Sequence, residues 1–321
     1  MPHPFRFGLH FWDLPIESWV DRVLTYERLG FSHITLTDHL VVPQWEPVAA
    51  LGAIAAVTER IRVGTLVLDT ALRDPVLTAK SAATLDRMSG GRFELGLGAG
   101  YVAANFAAAG RPFEPAADRV ARLAEAVSLV RRLWSEPSTT MHGRFYRVTD
   151  SPMVARAPVR PRLLIGGGGR AVMHLGGRVA DAVSMIPRQS SGTWSVIDSL
   201  PDSTMARMAQ KAAWVREGAE TEGRDPDAIE LNTMVPTVIV GDDGAAAIAK
   251  EAETSGITRS EMDGSTLYLC GTGPELRDQL RHWRDRTGIS YISLFDPGEE
   301  QIAYLAEHVV APLTAESRID R

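Results

Sequence analysis

The stretch "IRVGTLVLDTALRDPVLTAKSAATLDRMSGGRFELGLGAG", Ile61–Gly100, decides the fold, because it has the pattern of a strand, a helix and a second strand. Ile61–Leu68 and Arg92–Gly100 are short apolar runs of the kind that forms buried strands. Between them, Pro75–Met88 places apolar residues at helical spacing behind a proline that suits a first helical turn. Strands joined through a helix pair in parallel, so this stretch predicts one unit of a parallel α/β fold.

The same alternation continues on both sides of this stretch, and the whole chain contains eight strand and helix units. The other strands are predicted at Phe5–Phe11, His33–Thr37, Arg162–Gly169, Asp181–Ile186, Ile229–Val240 and Gly288–Phe295. The other helices are predicted over 16–30, 46–58, 116–134, 170–179, 204–222, 244–255 and 299–309. Eight units in 321 residues suit a closed (β/α)8 TIM barrel. A doubly wound open sheet is the alternative, but it usually carries a glycine fingerprint after the first strand, which here ends in "HFWDLP". We therefore predict a single α/β barrel domain over residues 1–321.

Four segments exceed what the barrel needs. They cover residues 102–115, 138–161, 187–203 and 254–273, and the last encloses an extra strand, "TLYLC", before a helix over 274–287. The first and third follow strands, so we expect these insertions in the loops at the C-terminal face, where barrels carry their active sites.

Composition excludes several classes of partner. The net charge is −6 and no block of five like charges occurs, so a nucleic-acid surface is not expected. No secretion signal and no 18-residue uncharged apolar segment are present, which predicts a cytoplasmic protein without a membrane partner. Cys270 is the single cysteine and no paired Cys/His spacing occurs, so neither an internal disulfide nor a metal site is expected.

Asp38 and His39 stand where the second strand ends. One interpretation is a turn-forming aspartate beside a solvated histidine. The other is an acid that binds a ligand or orients the imidazole, with His39 exchanging protons near neutral pH. The position at the mouth of a barrel favours the second interpretation.

Two glycine-rich segments follow other strands. "GLGAGY", Gly96–Tyr101, allows a ligand to approach the backbone closely, or else serves tight packing between helix and strand. Gly166–Gly169 precede a helix, where free N–H groups and the helix dipole favour a phosphate over a merely flexible loop. Other chemistries lack their residues, since there is no G-x-S-x-G elbow and no carboxylate pair at the ends of strands four and seven.

Together these segments resemble the luciferase-like flavin monooxygenase superfamily, and within it the branch of oxidoreductases that use the deazaflavin coenzyme F420. The resembling pieces are "GFSHITLTDHL", "ERIRVGTLVLDTALRDPVLTAKSAATLDRMSGGRFELGLGAGY", "RLLIGGGGRAVMHLGGRVADAVSM" and "GISYISLF". The resemblance implies a (β/α)8 barrel that transfers a hydride between F420 and a small organic substrate. It also implies a homodimer, and a separate F420 or flavin reductase as a further partner.

The resemblance also implies roles for individual residues. Asp38 and His39 would face the cofactor ring, a non-prolyl cis peptide at Leu66–Val67 would lie behind it, and Gly166–Gly169 would receive the phosphate. The predicted catalytic residues are His39, Asp38 and Tyr101. The predicted cofactor contacts are Asp38, Leu66, Val67, Gly98, Ala99, Gly100, Asn105, Gly166, Gly167, Gly168 and Gly169. The predicted walls of the substrate pocket are His10, Trp12, Trp45 and Arg188.

One departure from the branch bears on the substrate. Sugar-phosphate dehydrogenases of this branch have "GTGEALNE" after the fourth strand and use its first glutamate as an acid, where this chain has Tyr101. We therefore do not expect glucose 6-phosphate chemistry, and Tyr101 becomes an alternative proton donor to His39. Two alternatives stay open: an FMN-dependent two-component monooxygenase, and a flavin-binding barrel without catalysis.

Overall fold

The computed structural model describes residues 3–155, 160–188, 194–241 and 244–319. Its strands are β1 (Arg6–Phe11), β2 (His33–Leu36), β3 (Arg62–Thr65), β4 (Leu68–Asp69), β5 (Phe93–Gly98), β6 (Ser138–His142), β7 (Arg147–Pro152), β8 (Arg162–Gly167), β9 (Ala182–Met185), β10 (Glu230–Val235), β11 (Thr237–Val240), β12 (Tyr268–Gly271) and β13 (Ile289–Phe295).

A closed parallel barrel forms the centre of the fold. Its strands follow the order β3-β2-β1-β13-β10-β9-β8-β5-β4, and a further pairing of β3 with β5 closes the circle. β3 and β4 form one barrel strand that is interrupted at Leu66–Val67, whose peptide bond is cis. This leaves eight parallel strands around the barrel, so the (β/α)8 prediction is confirmed.

Helices surround the barrel. They are α1 (Trp19–Arg28), α2 (Pro47–Val57), α3 (Pro75–Met88), α4 (Ala103–Ala108), α5 (Ala116–Ser135), α6 (Arg170–Val179), α7 (Val196–Ser199), α8 (Met205–Thr221), α9 (Gly244–Ser255), α10 (Arg259–Asp263), α11 (Gly273–Thr287), α12 (Glu299–Leu305) and α13 (Ala311–Ile319). Short 3-10 turns lie at Leu200–Asp202 and Pro226–Ala228, and a π-helical turn, Ala306–Val310, joins α12 to α13. Among the helices of the described residues, none has both the length and the apolar character needed to cross a membrane.

The seventh unit differs from the prediction. The sequence run Ile229–Val240 suggests one strand, but it divides at Pro236 into the barrel strand β10 and the short strand β11. Proline has no N–H to donate to a strand ladder, which ends the barrel strand there. β11 instead pairs in parallel with β12, the extra strand that the sequence predicts.

The helix that follows β11 also has a different place. α9, predicted as the crossover helix of the seventh unit, packs against the small β11–β12 sheet. α11 packs against β13 and α8 in the outer ring of helices. Its buried residues Leu276, Leu280 and Trp283 recur at helical spacing, which gives it the apolar stripe that an outer helix needs.

The two ends of the barrel differ in chemistry. At the N-terminal end, Arg6 and Arg162 pair with Glu94 and Glu230, all at or next to the first residues of their strands. These charges neutralise one another away from solvent. The C-terminal end instead carries the loops and insertions, and a cavity opens at this end.

Candidate functional site

A cavity of about 340 Å³ opens at the C-terminal ends of the barrel strands. This volume lies in the range of pockets that bind small organic ligands. The cavity brings together most of the predicted site residues: His10, Trp12, Asp38, His39, Leu66, Val67, Gly98, Ala99, Gly100, Tyr101, Asn105, Gly166, Gly167, Gly168, Gly169 and Arg188. The insertion over 102–115 contributes Val102 to the lining, and the described part of 187–203 contributes Trp194, while residues 189–193 lie outside the described part.

One wall of the cavity is built around Val67, directly after the cis peptide. A Cβ atom at Gly98 would lie 2.5 Å from Val67 Cγ2, and one at Gly166 would lie 2.8 Å from Val67 Cγ1. The missing side chains at these two glycines therefore make room for Val67. Both glycines also line the cavity, so the absence of their side chains lets Val67 pack there and lets a ligand approach the backbone closely.

A second wall is aromatic. The ring of His39 lies 5.4 Å from that of Trp12 and 6.1 Å from that of Tyr101, measured between centroids. Trp12 in turn contacts Phe295 edge to face, and Phe295 contacts His10 at 5.3 Å. Burial lowers the pKa of His10 to about 3 and raises that of Tyr101 to about 12. Both rings are therefore neutral across the physiological range, and the wall offers apolar faces with a few polar atoms.

Asp38 is held by protein groups on both carboxylate oxygens. Arg73 donates from Nε to Oδ2 at 2.8 Å and from Nη2 to Oδ1 at 2.7 Å, and the Asp69 N–H donates to Oδ2 at 3.1 Å. Arg73 also pairs with Glu46 at 2.8 Å. Since these contacts use the carboxylate, Asp38 fixes the end of β2 to the segment that leads into α3.

His39 has a different partner. Asn105 lies with its Nδ2 at 2.8 Å from His39 Nδ1, while its Oδ1 accepts the N–H groups of Leu40 at 2.9 Å and Val41 at 3.2 Å. Burial lowers the pKa of His39, and the charge of Asp38 acts in the opposite direction. The ring is thus a neutral group on the cavity wall.

The glycine segment forms the far end of the cavity. Gly169 precedes α6 and provides no side-chain cap, so the first N–H groups of this helix have no partner within it. Arg188 lies beside this segment, with its Cδ 3.9 Å from where a Gly169 Cβ would be. The Arg188 N–H donates to Asp202, which also pairs with the fully buried Lys211 at 2.8 Å. Arg188 is therefore held at the glycine end rather than at the aromatic wall.

Trp45 was predicted as a pocket wall, and this prediction is wrong. Its ring contacts Trp19 edge to face at 6.2 Å and packs against the hydrophobic core, and it is absent from the lining of the cavity. Trp45 lies two residues before the start of α2, and its ring packs against Trp19, the first residue of α1.

Several lining residues were missed by the sequence argument. Asp69, Arg119, Ser184 and Phe295 all face the cavity. Three of them stand at or near the ends of barrel strands, a signal that could have found them. Arg119 belongs to α5 and reaches the site by donating from Nε to the Gly100 carbonyl at 3.0 Å, which no sequence spacing indicates.

Two of these residues have unusual environments. Burial, with a contribution from Asp38, raises the pKa of Asp69 to about 6. Ser184 is fully buried, and its Oγ has no hydrogen-bond partner among the residues that the structure describes. A buried hydroxyl without a partner is costly, and this one lies behind the lining of the cavity, with its oxygen closed to the cavity space.

The fold and this cavity together define a (β/α)8 barrel protein built to hold an organic ligand at its C-terminal mouth. The family model of the luciferase-like monooxygenases matches residues 13–287. The chain therefore belongs to the luciferase-like monooxygenase family.

Individual relatives agree with this assignment. A protein of Intrasporangium calvum named F420-dependent glucose-6-phosphate dehydrogenase is 34% identical over 307 residues, covering 89% of this chain and 90% of the relative. An F420-dependent secondary alcohol dehydrogenase, solved with an F420-acetone adduct, has a TM-score of 0.80 at 17% identity and covers 97% of this chain and 99% of its own. A monooxygenase from Streptomyces bottropensis has a TM-score of 0.74 at 23% identity, with 96% and 99% covered. The two solved structures support the fold.

Proposed function

We propose that this protein is an oxidoreductase that transfers a hydride between coenzyme F420 and a small organic substrate bound in the cavity. The observation that carries the proposal is the 34% identity to a relative named as F420-dependent, over nine tenths of that relative's length. The cavity supports it with a glycine-lined helix start and an aromatic wall.

The residues of the cavity fit such a cofactor. The N–H groups at the start of α6 and the guanidinium of Arg188 would hold its phosphate. Val67 would support one face of the ring. When bound, the deazaflavin supplies a ring carbon that passes a hydride, where a flavin has a nitrogen.

The substrate would lie against the aromatic wall of Trp12, His39 and Tyr101. These rings exclude water and align the substrate, while the polar atoms of His39 and Tyr101 contact its reacting heteroatom. Among the described lining residues, the cationic side chains are Arg119, which donates to the Gly100 carbonyl, and Arg188, which lies at the glycine end. The substrate side of the cavity therefore favours an uncharged or moderately polar substrate over a sugar phosphate. The homodimer and the separate reductase remain predictions.

The test is a fluorescence titration of the purified protein with F420 and, separately, with FMN. We expect binding of F420, and we expect Arg188→Ala to weaken it while leaving affinity for the phosphate-free fragment of F420 unchanged. The matched control is Arg178→Ala in the last turn of α6, away from the glycine segment, where Arg178 pairs with Glu222. Tight binding of FMN without affinity for F420, together with oxygen consumption when reduced FMN is supplied, would favour the monooxygenase alternative instead.

A further inference from the structure

We propose that Asn105 is a positioning residue that holds His39 as a neutral imidazole with its proton on Nε2, so that His39 meets the substrate as a hydrogen-bond donor and not as a base. The inference rests on the proposed function for its consequence in turnover. The arrangement of the two side chains stands independently of that function.

The orientation of the Asn105 amide is fixed by its backbone partners. Asn105 is 2% exposed, and one of its terminal atoms receives the N–H groups of Leu40 and Val41. Backbone N–H groups can only donate, so the atom that receives them is the amide oxygen. The amide nitrogen must therefore point the other way, towards His39.

This orientation selects the tautomer of the imidazole. The Asn105 NH₂ group has no acceptor capacity, so the His39 Nδ1 that lies 2.8 Å away must accept. A neutral imidazole that accepts at Nδ1 carries its proton on Nε2. Among the described residues, no acceptor lies within hydrogen-bond distance of Nε2, and His39 itself lines the cavity. The Nε2–H group is therefore available to a ligand.

The same contact opposes the charged ring. An imidazolium would direct an Nδ1–H at the Asn105 NH₂ group, which places a donor against a donor. The titratable groups that face His39 are Asp38 on the same loop, Tyr101 after β5 and His10 on β1. Asp38 favours the imidazolium, but Arg73 neutralises it, and the other two are uncharged.

A fixed Nε2–H makes His39 a hydrogen-bond donor to the reacting heteroatom of the substrate. A bound reduced deazaflavin would supply the hydride that forms a C–H bond at the substrate carbon, while the C=O or C=N π pair moves onto the heteroatom. The Nε2–H group would stabilise the negative charge that develops there, and water would supply the proton that completes the product. Oxidation would use the same hydrogen bond in reverse, with the proton leaving to water because the Nε2 lone pair is unavailable in this tautomer.

The test is ¹⁵N NMR of the histidine-labelled protein without cofactor, in which protonated and unprotonated ring nitrogens have well separated shifts. The signal of His39, among eight histidines, is assigned by its loss in His39→Gln. We expect the Nε2–H pattern at neutral pH in the unmodified protein. Observation of Nδ1–H there would overturn the proposal, whatever the variants do.

Asn105→Asp and Asn105→Leu separate positioning from structural support. The aspartate keeps an oxygen for Leu40 and Val41 but accepts from His39, so we expect Nδ1–H and a pKa of His39 raised by about 1 to 3. The leucine removes both contacts, so we expect a mixture of tautomers. If both variants keep the original tautomer and titration, Asn105 is not a positioning residue.

Turnover then tests the consequence. In Asn105→Asp, at saturating F420, we expect the kcat of substrate reduction to fall more than tenfold above the raised pKa of His39, where the neutral ring carries its proton on Nδ1, so that the pH profile of kcat shifts. An unchanged profile with the tautomer reversed would overturn the role of His39 as a hydrogen-bond donor in turnover. If F420 does not bind at all while the NMR result holds, the proposed function fails and the positioning role of Asn105 stands.

Discussion

The exchange Asp38→Asn tests whether Asp38 anchors the end of β2. The asparagine keeps its oxygen near Asp69 N–H and Arg73 Nε, but it places an NH₂ group against Arg73 Nη2, where Oδ1 now accepts at 2.7 Å. One charge-assisted hydrogen bond in a buried setting contributes about 1.5–3 kcal/mol. The Arg73 side chain is 25% exposed and keeps Glu46 as a partner, so we expect a loss of about 2 kcal/mol.

In a thermal unfolding experiment on the protein without cofactor, that loss corresponds to a decrease in Tm of about 3 °C, because unfolding 321 residues carries an entropy of roughly 0.7 kcal/mol/K. The matched control is Glu46→Gln, which removes the negative charge of the second partner of Arg73, a side chain that is 50% exposed. Exposed pairs contribute little, and the glutamine keeps an oxygen for the Ala49 N–H that Glu46 accepts at the start of α2, so we expect this control to lower stability by no more than about 1 kcal/mol. If Asp38→Asn unfolds at the original temperature, or if both variants lose stability equally, the anchoring role is wrong.

Three further predictions concern other residues of the cavity. Gly166→Ala brings a Cβ to 2.8 Å from Val67 Cγ1, so we expect a loss of stability of about 1–3 kcal/mol and weaker F420 binding by fluorescence titration. The control Gly244→Ala, whose Cβ meets nothing within 4 Å, should change neither, and equal effects would contradict the packing argument. Burial raises the pKa of Asp69 from 3.8 to about 6, so between these pH values Asp69 keeps its proton in the folded state and loses it in the unfolded state. The free energy of unfolding therefore falls by about 3 kcal/mol as the pH rises through this window. In chemical denaturation, the free energy of unfolding of Asp69→Asn should therefore rise by about that amount relative to the unmodified protein between pH 4 and pH 7. A difference between the two proteins that stays constant with pH would refute this. Tyr101→Phe should lower kcat about 2- to 10-fold through one lost hydrogen bond and leave the pH profile between about 6 and 9 unchanged, because the hydroxyl stays protonated. A profile that moves would mean that Tyr101 titrates during turnover.

The barrel could be predicted from the sequence because its signal is repeated. Each unit pairs a short apolar run with a helix of regular spacing, and Pro75–Met88 and Arg170–Val179 begin and end where the pattern places them. The exception is the seventh unit, where apolar periodicity continues across Pro236 although the strand ladder does not. Apolar periodicity reports burial, and no residue of β10 or β11 is exposed, so periodicity cannot tell which sheet each strand joins.

The positions of the cavity residues could also be predicted from the repeated strand and helix pattern, because the C-terminal ends of parallel strands all lie at one end of the barrel. Their partners could not. Arg119 reaches the Gly100 carbonyl from a helix, and Trp45 turns away from the cavity to Trp19. Such contacts depend on how neighbouring loops fold over the mouth, and a sequence pattern carries no information on that packing.

Asp38 and His39 show most clearly what adjacency in sequence does and does not imply. Neighbouring residues in an extended segment point to opposite sides of the chain, so an Asp-His dipeptide at a strand end cannot be assumed to form an acid-imidazole pair. Here Asp38 turns to Arg73 and His39 to Asn105. The acid that sequence reasoning offered as an orienting group for the histidine is thus used elsewhere, and an amide takes its place. An aspartate next to Nδ1 would have favoured the protonated ring, whereas the amide excludes it, so the identity of that one partner decides between a base and a hydrogen-bond donor at the mouth of the barrel.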